Sequence, residues 1–199
     1  MVSEEKKTVI ILFSRTREDE AAAKDFSNIN SYQTNLRIAE TLISRTGKII
    51  KESGLPCFII DSNQQEGKSF GEKISNAFRS IFLLGVENVI AIGNDCPSLT
   101  KSDLLKAAKD LQHVNAVAGP AKDGGLYLIG LNKNFFDSEL FQQLSWGSDK
   151  VADDFIEYLH KMTASFMIST VKDDVDNFES LVKVIKNKSI AISIIAKLN

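Results

Sequence analysis

Short apolar runs recur along this chain with about one amphipathic helix's length between most of them, and that alternation constrains the fold more than any other feature. The runs are "TVIILFS" (8–14), "PCFIID" (56–61), "VIAI" (89–92), "VNAVAG" (114–119), "LYLIGL" (126–131) and "SFMISTV" (165–171). Runs without polar alternation are the signature of strands buried on both faces, as in a parallel sheet. Between them, Leu36, Ala39, Leu42, Ile43, Ile49 and Ile50 repeat at helical spacing, and Gly54 is a natural stop. Phe70, Ile74, Ala77, Phe78, Ile81 and Phe82 mark a second helix that ends at Gly85. Thr100 and Asp103 have the spacing of a capping box, followed by the apolar stripe Leu104, Leu105, Ala108 and Leu111. Two further helices are predicted over roughly 148–162, with Ser148 as its cap, and from about Asn177. The polar stretch after the first run reads as an irregular loop, although the alanine triplet 21–23 suits a short helix. The resulting order, β-α-β-α-β-α-β-β-α-β-α, predicts an α/β fold: a three-layer α/β/α sandwich with a mostly parallel central sheet. At 199 residues the chain is expected to be one domain over 1–199.

Charge narrows the partners. A formal net charge of −2 carries no electrostatic footprint for nucleic acid. The cluster Lys183, Lys186 and Lys188 reads as a solvated helix face. The two cysteines, Cys57 and Cys96, have neither disulfide-framework nor zinc spacing, which fits a reduced, cytoplasmic setting. The apolar run near the N-terminus is too short for a signal-peptide core or a membrane span, so no membrane partner is expected. His113 and His160 each end a predicted helix, where an imidazolium meets the dipole, and no nucleophile constellation surrounds them. The apolar tail "SIAISIIAKLN" (189–199) is expected to cover something: its own sheet as part of the last helix, or a second subunit in an oligomer.

Polar chemistry gathers after the strands. In "VIAIGNDCPSLT", Gly93 and Pro97 bracket a turn that presents Asp95 at the carboxyl end of an interior strand, where open α/β sheets bind ligands. Asp123 lies between two strands in "GPAKDGGLYLIG", and Asp173, Asp174 and Asp176 follow the last one in "KDDVDN". Carboxylates are the usual ligands of Mg²⁺ and Mn²⁺, which complete their shells with water and substrate phosphates. "KDGGL" is neither a dinucleotide fingerprint nor a P-loop, but paired glycines before a strand allow close backbone approach. Trp146, ahead of Gly147, is placed to wall a pocket.

The stretches "GEKISNAFRSIFLLGVENVIAIGNDCPSLTKSDLLKAAKDL", "AVAGPAKDGGLYLIGLN", "LFQQLSWGSDKV" and "VDNFESL" resemble, in that order, a bacterial glycosyltransferase-like family. That family belongs to the nucleotide-diphospho-sugar transferase superfamily of GT-A type, related to nucleotidyltransferases of molybdenum-cofactor and phospholactate synthesis. The resemblance implies a GT-A-like fold, a nucleotide-sugar or nucleotide ligand, a small-molecule acceptor and a divalent metal, Mg or Mn. It implies metal ligands at Asp95 and Asp176, and a substrate-side loop of Lys122, Asp123, Gly124 and Gly125, with Asp123 the catalytic candidate. Gly67 and Gly71 fall in the glycine-bearing segment that faces the nucleotide, and Arg15 supplies positive charge after the first strand. Superfamily members that transfer nucleotides follow that strand with a glycine-bearing basic loop; here it runs into "SRTREDEAAAKDF", with no glycine. The leading expectation is therefore a metal-dependent glycosyltransferase. A nucleotidyltransferase acting on a phosphorylated small molecule is the first alternative, and a non-catalytic member that binds a ligand or partner the second.

Overall fold

The computed structural model describes residues 7–27, 29 and 31–186. The expected strands form as β1 (Thr8–Phe13), β2 (Cys57–Ile60), β3 (Asn88–Ile92), β4 (Ala116–Pro120), β5 (Leu126–Asn132) and β6 (Phe166–Ile168). The helices are α1 (Arg17–Ala23), α2 (Tyr32–Ser53), α3 (Phe70–Leu83), α4 (Lys101–Asp110), α5 (Ser138–Gln142), α6 (Val151–Lys161) and α7 (Phe178–Ile185). Gly54 ends α2 with φ 74° and Thr100 opens α4 in a capping box, as their spacing predicts. The tail 189–199 lies outside the described residues.

Three local expectations need correction. The stretch after β1 is not wholly irregular, because α1 forms there. Thr16 accepts a hydrogen bond from the Asp19 amide, and Glu18, Asp19 and Glu20 complement the positive helix end. A short helix α5, absent from the sequence reading, starts at Asp137, whose carboxylate accepts from the Glu139 and Leu140 amides. Ser148 does not cap α6; its hydroxyl donates to the Ser145 carbonyl, and the helix begins at Val151 with no side-chain cap.

The strands make one six-stranded sheet in the order β2-β1-β3-β5-β4-β6. All pairings are parallel except those of β5, which runs antiparallel to both β3 and β4. The reversed strand has a geometric consequence. The carboxyl ends of β1, β3 and β4 and the amino end of β5 share one sheet edge, as the pairing of Ile92 with Leu128 shows. Strands β1 and β3 are buried throughout. Their alternate residues serve opposite layers: Val9, Ile11, Val89 and Ala91 pack with α3 and α6, and Ile10, Leu12, Ile90 and Ile92 with α2 and α4.

A third apolar cluster joins α7 to α2 through Phe26, Ile38, Leu42, Val175, Leu181 and Val184. Val175 is fully buried, and its amide donates to the Asp95 carbonyl at 2.7 Å. The Phe178 amide donates to the Asp25 carbonyl at 2.9 Å. Packing and these two bonds strap the acidic segment 173–177 across the end of β3.

On the opposite layer, Phe141 is completely buried among Phe78, Phe136, Trp146, Phe155 and Tyr158, with ring centroids 5.1 to 6.2 Å away. Trp146 also donates from its indole nitrogen to the Phe141 carbonyl at 3.0 Å. Phe141→Ala is expected to lower unfolding free energy by about 3–5 kcal/mol in a urea titration. Because Trp146 is the single tryptophan, the same variant should red-shift its fluorescence in the native baseline.

Candidate functional site

At the shared edge four chain segments meet around a cavity of about 680 Å³. They are the exit of β1 at Ser14 and Arg15, the turn after β3 at Gly93 to Asp95, the β4–β5 turn 121–125, and the strap 173–177. Helix α1 closes the side, bringing Glu20 and Lys24. Topology thus puts the turns after β1 and β3 at one place, where backbone polar groups leave the sheet with no ladder partner.

The charged groups divide into two sets. In the first, the Lys24 ammonium lies 2.7 Å from Asp176 Oδ1, 3.0 Å from Glu20 Oε1 and 3.4 Å from Asp95 Oδ2. It also donates to the Val175 carbonyl at 3.2 Å. The lysine side chain is only 11% exposed. Burial works against its charge, but Asp95, Glu20 and Asp176 together hold the ammonium above the ordinary lysine range. Glu20, itself buried, takes a second partner in Arg15 at 3.1 Å.

The second set is the triad Asp123, Asp174 and Asp176, which offer carboxylate oxygens all within 4.8 Å of one another. Asp123 is fixed by the Gly125 amide, which donates to its Oδ1 at 2.8 Å. Among the described residues neither Asp123 nor Asp174 has a lysine or arginine partner. The Asp174 carboxyl is pushed up to about 7, first by burial and then by the charges of Asp123 and Asp176. The triad fits a hard divalent ion: all donors are oxygen, and an octahedral shell at about 2.1 Å needs oxygens about 3–4 Å apart. Two of its members are exposed enough to leave positions for water or phosphate.

Asn94 adds a neutral donor. It is 4% exposed, lines the cavity, and its side-chain nitrogen has no acceptor among the described residues. A buried amide N–H without a partner costs roughly 1–3 kcal/mol, which a ligand oxygen would recover. Cys96 next to Asp95 is chemically quiet, since burial pushes its thiol up to about 11. Trp146 and Phe70 wall the cavity, with ring centroids 5.4 Å apart.

The candidate residues from the sequence fall into two groups. Asp95, Asp123, Asp176, Arg15 and Gly125 border the cavity. Gly67, Gly71 and Gly124 do not, and the space beside all three is filled by protein. A Cβ on Gly71 would overlap the Gln142 carbonyl and Trp146, so α3 and α5 approach through it. Gly124, with φ +89°, lies against the Asp149 backbone. Asp95 and Asp176 are both bonded to Lys24, and the ion-sized oxygen cluster uses Asp123 and Asp174 with Asp176. Glu20, Asn94 and Phe70 were not among the site residues expected from the sequence. The Glu20–Lys24 spacing of four was the visible signal, and it acquires meaning only once α1 is a helix.

Asp174 makes stability depend on pH in a definite direction. Its folded value of about 7 exceeds the ordinary aspartate value of about 3.9, so the folded state holds an extra proton between them. The associated stability is fully present below about pH 4 and is lost as pH rises through about 7. Asp174→Asn keeps the neutral form throughout. In urea titrations with chelator present, it should match the wild type near pH 4. It should be more stable by about 1–2 kcal/mol above pH 7, after allowance for solvent screening of a partly exposed carboxyl.

Comparison with known proteins agrees with this architecture. A family model described as "Uncharacterized protein conserved in bacteria (DUF2064)" matches residues 54–148, which include β3, α4 and the β4–β5 turn. No curated protein matches the sequence. A crystal structure of a provisionally assigned nucleotide-diphospho-sugar transferase from Desulfovibrio desulfuricans G20 superposes with TM-score 0.86 at 22% identity. The match covers 97% of this chain and 94% of that one. Rv0371c from Mycobacterium tuberculosis H37Rv superposes with TM-score 0.59 at 8% identity, covering 92% of this chain and all of that one. Its homologue from Mycobacterium sp. strain JC1 gives TM-score 0.52 at 10% identity, over 94% and 97% of the two chains. The fold is that of the nucleotide-diphospho-sugar transferases, as the sequence resemblance implied.

Proposed function

We propose that this chain is a metal-dependent transferase that binds a nucleotide-sugar at the shared sheet edge and passes the sugar to a small-molecule acceptor. The observation that carries the reading is the triad Asp123, Asp174 and Asp176, two of whose members have no basic partner among the described residues, beside a cavity of nucleotide size, about 680 Å³. Three acids with no basic partner for two of them create a demand for positive charge, which a divalent ion would meet while leaving coordination positions for a diphosphate. When bound, that ion would supply electrostatic stabilisation to a leaving diphosphate.

The chain's own residues do the rest. The Asn94 amide, buried and without an acceptor, would donate to a ligand oxygen. Trp146 and Phe70 form an apolar wall that excludes water from one side of the cavity and faces a ring-bearing ligand. Gly125 holds Asp123 in place through its amide.

A triphosphate-using nucleotidyltransferase is the weaker reading on a specific observation. The segment after β1 folds as α1, whose first turn already carries Glu18, Asp19 and Glu20, and Arg15 and Arg17 are paired with acids. Its arginines are paired within the protein, and little positive charge remains to grip a triphosphate.

Thermal unfolding with nucleoside diphosphates, triphosphates and nucleotide-sugars, each with Mn²⁺, Mg²⁺ or chelator, tests the proposal. A matching ligand at 100 times its Kd should add about 2.7 kcal/mol, or roughly 5–10 °C in Tm for a chain of this size. The shift should require metal and should vanish in an Asp123→Asn, Asp174→Asn double variant. Pyrophosphate release from a triphosphate would favour the nucleotidyltransferase instead. A stable protein that ignores every nucleotide would overturn both and leave a non-catalytic binding role.

A further inference from the structure

Among the described residues, Lys24 has the most charged partners. An ammonium has three donors. Four protein oxygens surround this one, from Glu20, Asp95, Asp176 and the Val175 carbonyl, at 2.7 to 3.4 Å. Asp95 and the Val175 carbonyl accept hydrogen bonds from it, and Asp176 and Glu20 pair with it by charge. The shell is all oxygen and mostly anionic, which is also the shell of a hard metal ion. Nitrogen-to-oxygen distances near 3 Å are those of an ammonium, about 1 Å longer than a magnesium bond.

The position is held from three directions. Lys24 follows the last turn of α1, where its backbone amide donates to the Glu20 carbonyl at 3.0 Å, so the pair sits one helical turn apart. Asp95 leaves β3 on the turn after Gly93. Val175 is buried and bonded to the Asp95 backbone, which fixes both its own carbonyl and the neighbouring Asp176. None of these elements needs a ligand to complete it.

From this geometry we infer that Lys24 is a built-in counter-cation that permanently fills the space between Asp95 and Asp176. It is a positioning residue: it closes that carboxylate pair to metal and confines a divalent ion to the other side of Asp176, with Asp123 and Asp174. The inference rests on the ion site of the proposed transferase for its second half only. Its first half concerns Lys24 and Asp95 and needs no turnover.

The test is Mn²⁺ binding to the full chain by calorimetry and electron paramagnetic resonance, comparing wild type, Lys24→Met and Lys24→Met with Asp95→Asn. The expected result is one ion for the wild type and two for Lys24→Met, with the second lost again in the double variant. Circular dichroism checks that the variants fold. Lys24→Met binding the same number of ions within twofold of the wild-type affinity would overturn the inference and leave the metal-dependent reading intact. No ion on the wild type but one on Lys24→Met would support the first half of the inference and overturn its second half together with that reading. No ion on either folded protein would overturn both. If Lys24→Met does not fold, Asp95→Asn alone decides. Affinity within twofold of wild type supports Lys24 as the partner of Asp95, and a tenfold loss would mean that Asp95 ligates the ion.

Discussion

A strand buried on both faces offers no lateral surface for a charged side chain, so β1 and β3 force the polar chemistry of this molecule to their ends. Every residue of both strands is buried, and helices cover each layer. What distinguishes the site edge is the reversal of β5. Because β5 runs against its neighbours, the turn joining it to β4 returns to the carboxyl edge of the parallel strands and carries Asp123 with it. Had β5 been parallel, that turn would have been a crossover helix and the acid would have stood elsewhere.

Electrostatics at this edge follow from crowding. Glu20, Asp95 and Asp176 are brought close enough to share one ammonium, and Asp123 and Asp174 are left beside them without a base. Two responses to the same excess of negative charge are therefore visible within one site. Lys24 is held charged against the pull of burial, and Asp174 holds its proton up to about 7. An added cation would release that proton, so the ion binding proposed above would depend on pH. Asn94 is the neutral counterpart: a buried donor whose side-chain nitrogen lacks an acceptor among the described residues.

The walls of the cavity depend on a different kind of force. Phe141 gathers five aromatic rings between α3, α5 and α6, and its carbonyl holds the Trp146 indole. Gly71 lets α3 and α5 come close enough for that arrangement, with the Gln142 carbonyl where a side chain would begin. A glycine that reads as a place for a ligand backbone was in this case a place for protein.

Apolar periodicity is a local property, and it was enough to place six strands, the longer helices, the capping box at Thr100 and the stop at Gly54. It was also enough to put Asp95 and Asp123 at strand ends. Helix α1 was hidden because its evidence, a threonine cap and acids at one end, is weak against a polar, glycine-free stretch. The pairing of charges was out of reach for a deeper reason. Lys24 and Asp95 are 71 residues apart, and Lys24 and Asp176 farther still, so nothing in the order of residues says that one ammonium closes both carboxylates. Side-chain periodicity decides which residues are buried; only the docking of α1 and the strap 173–177 onto one sheet edge decides which charges meet there.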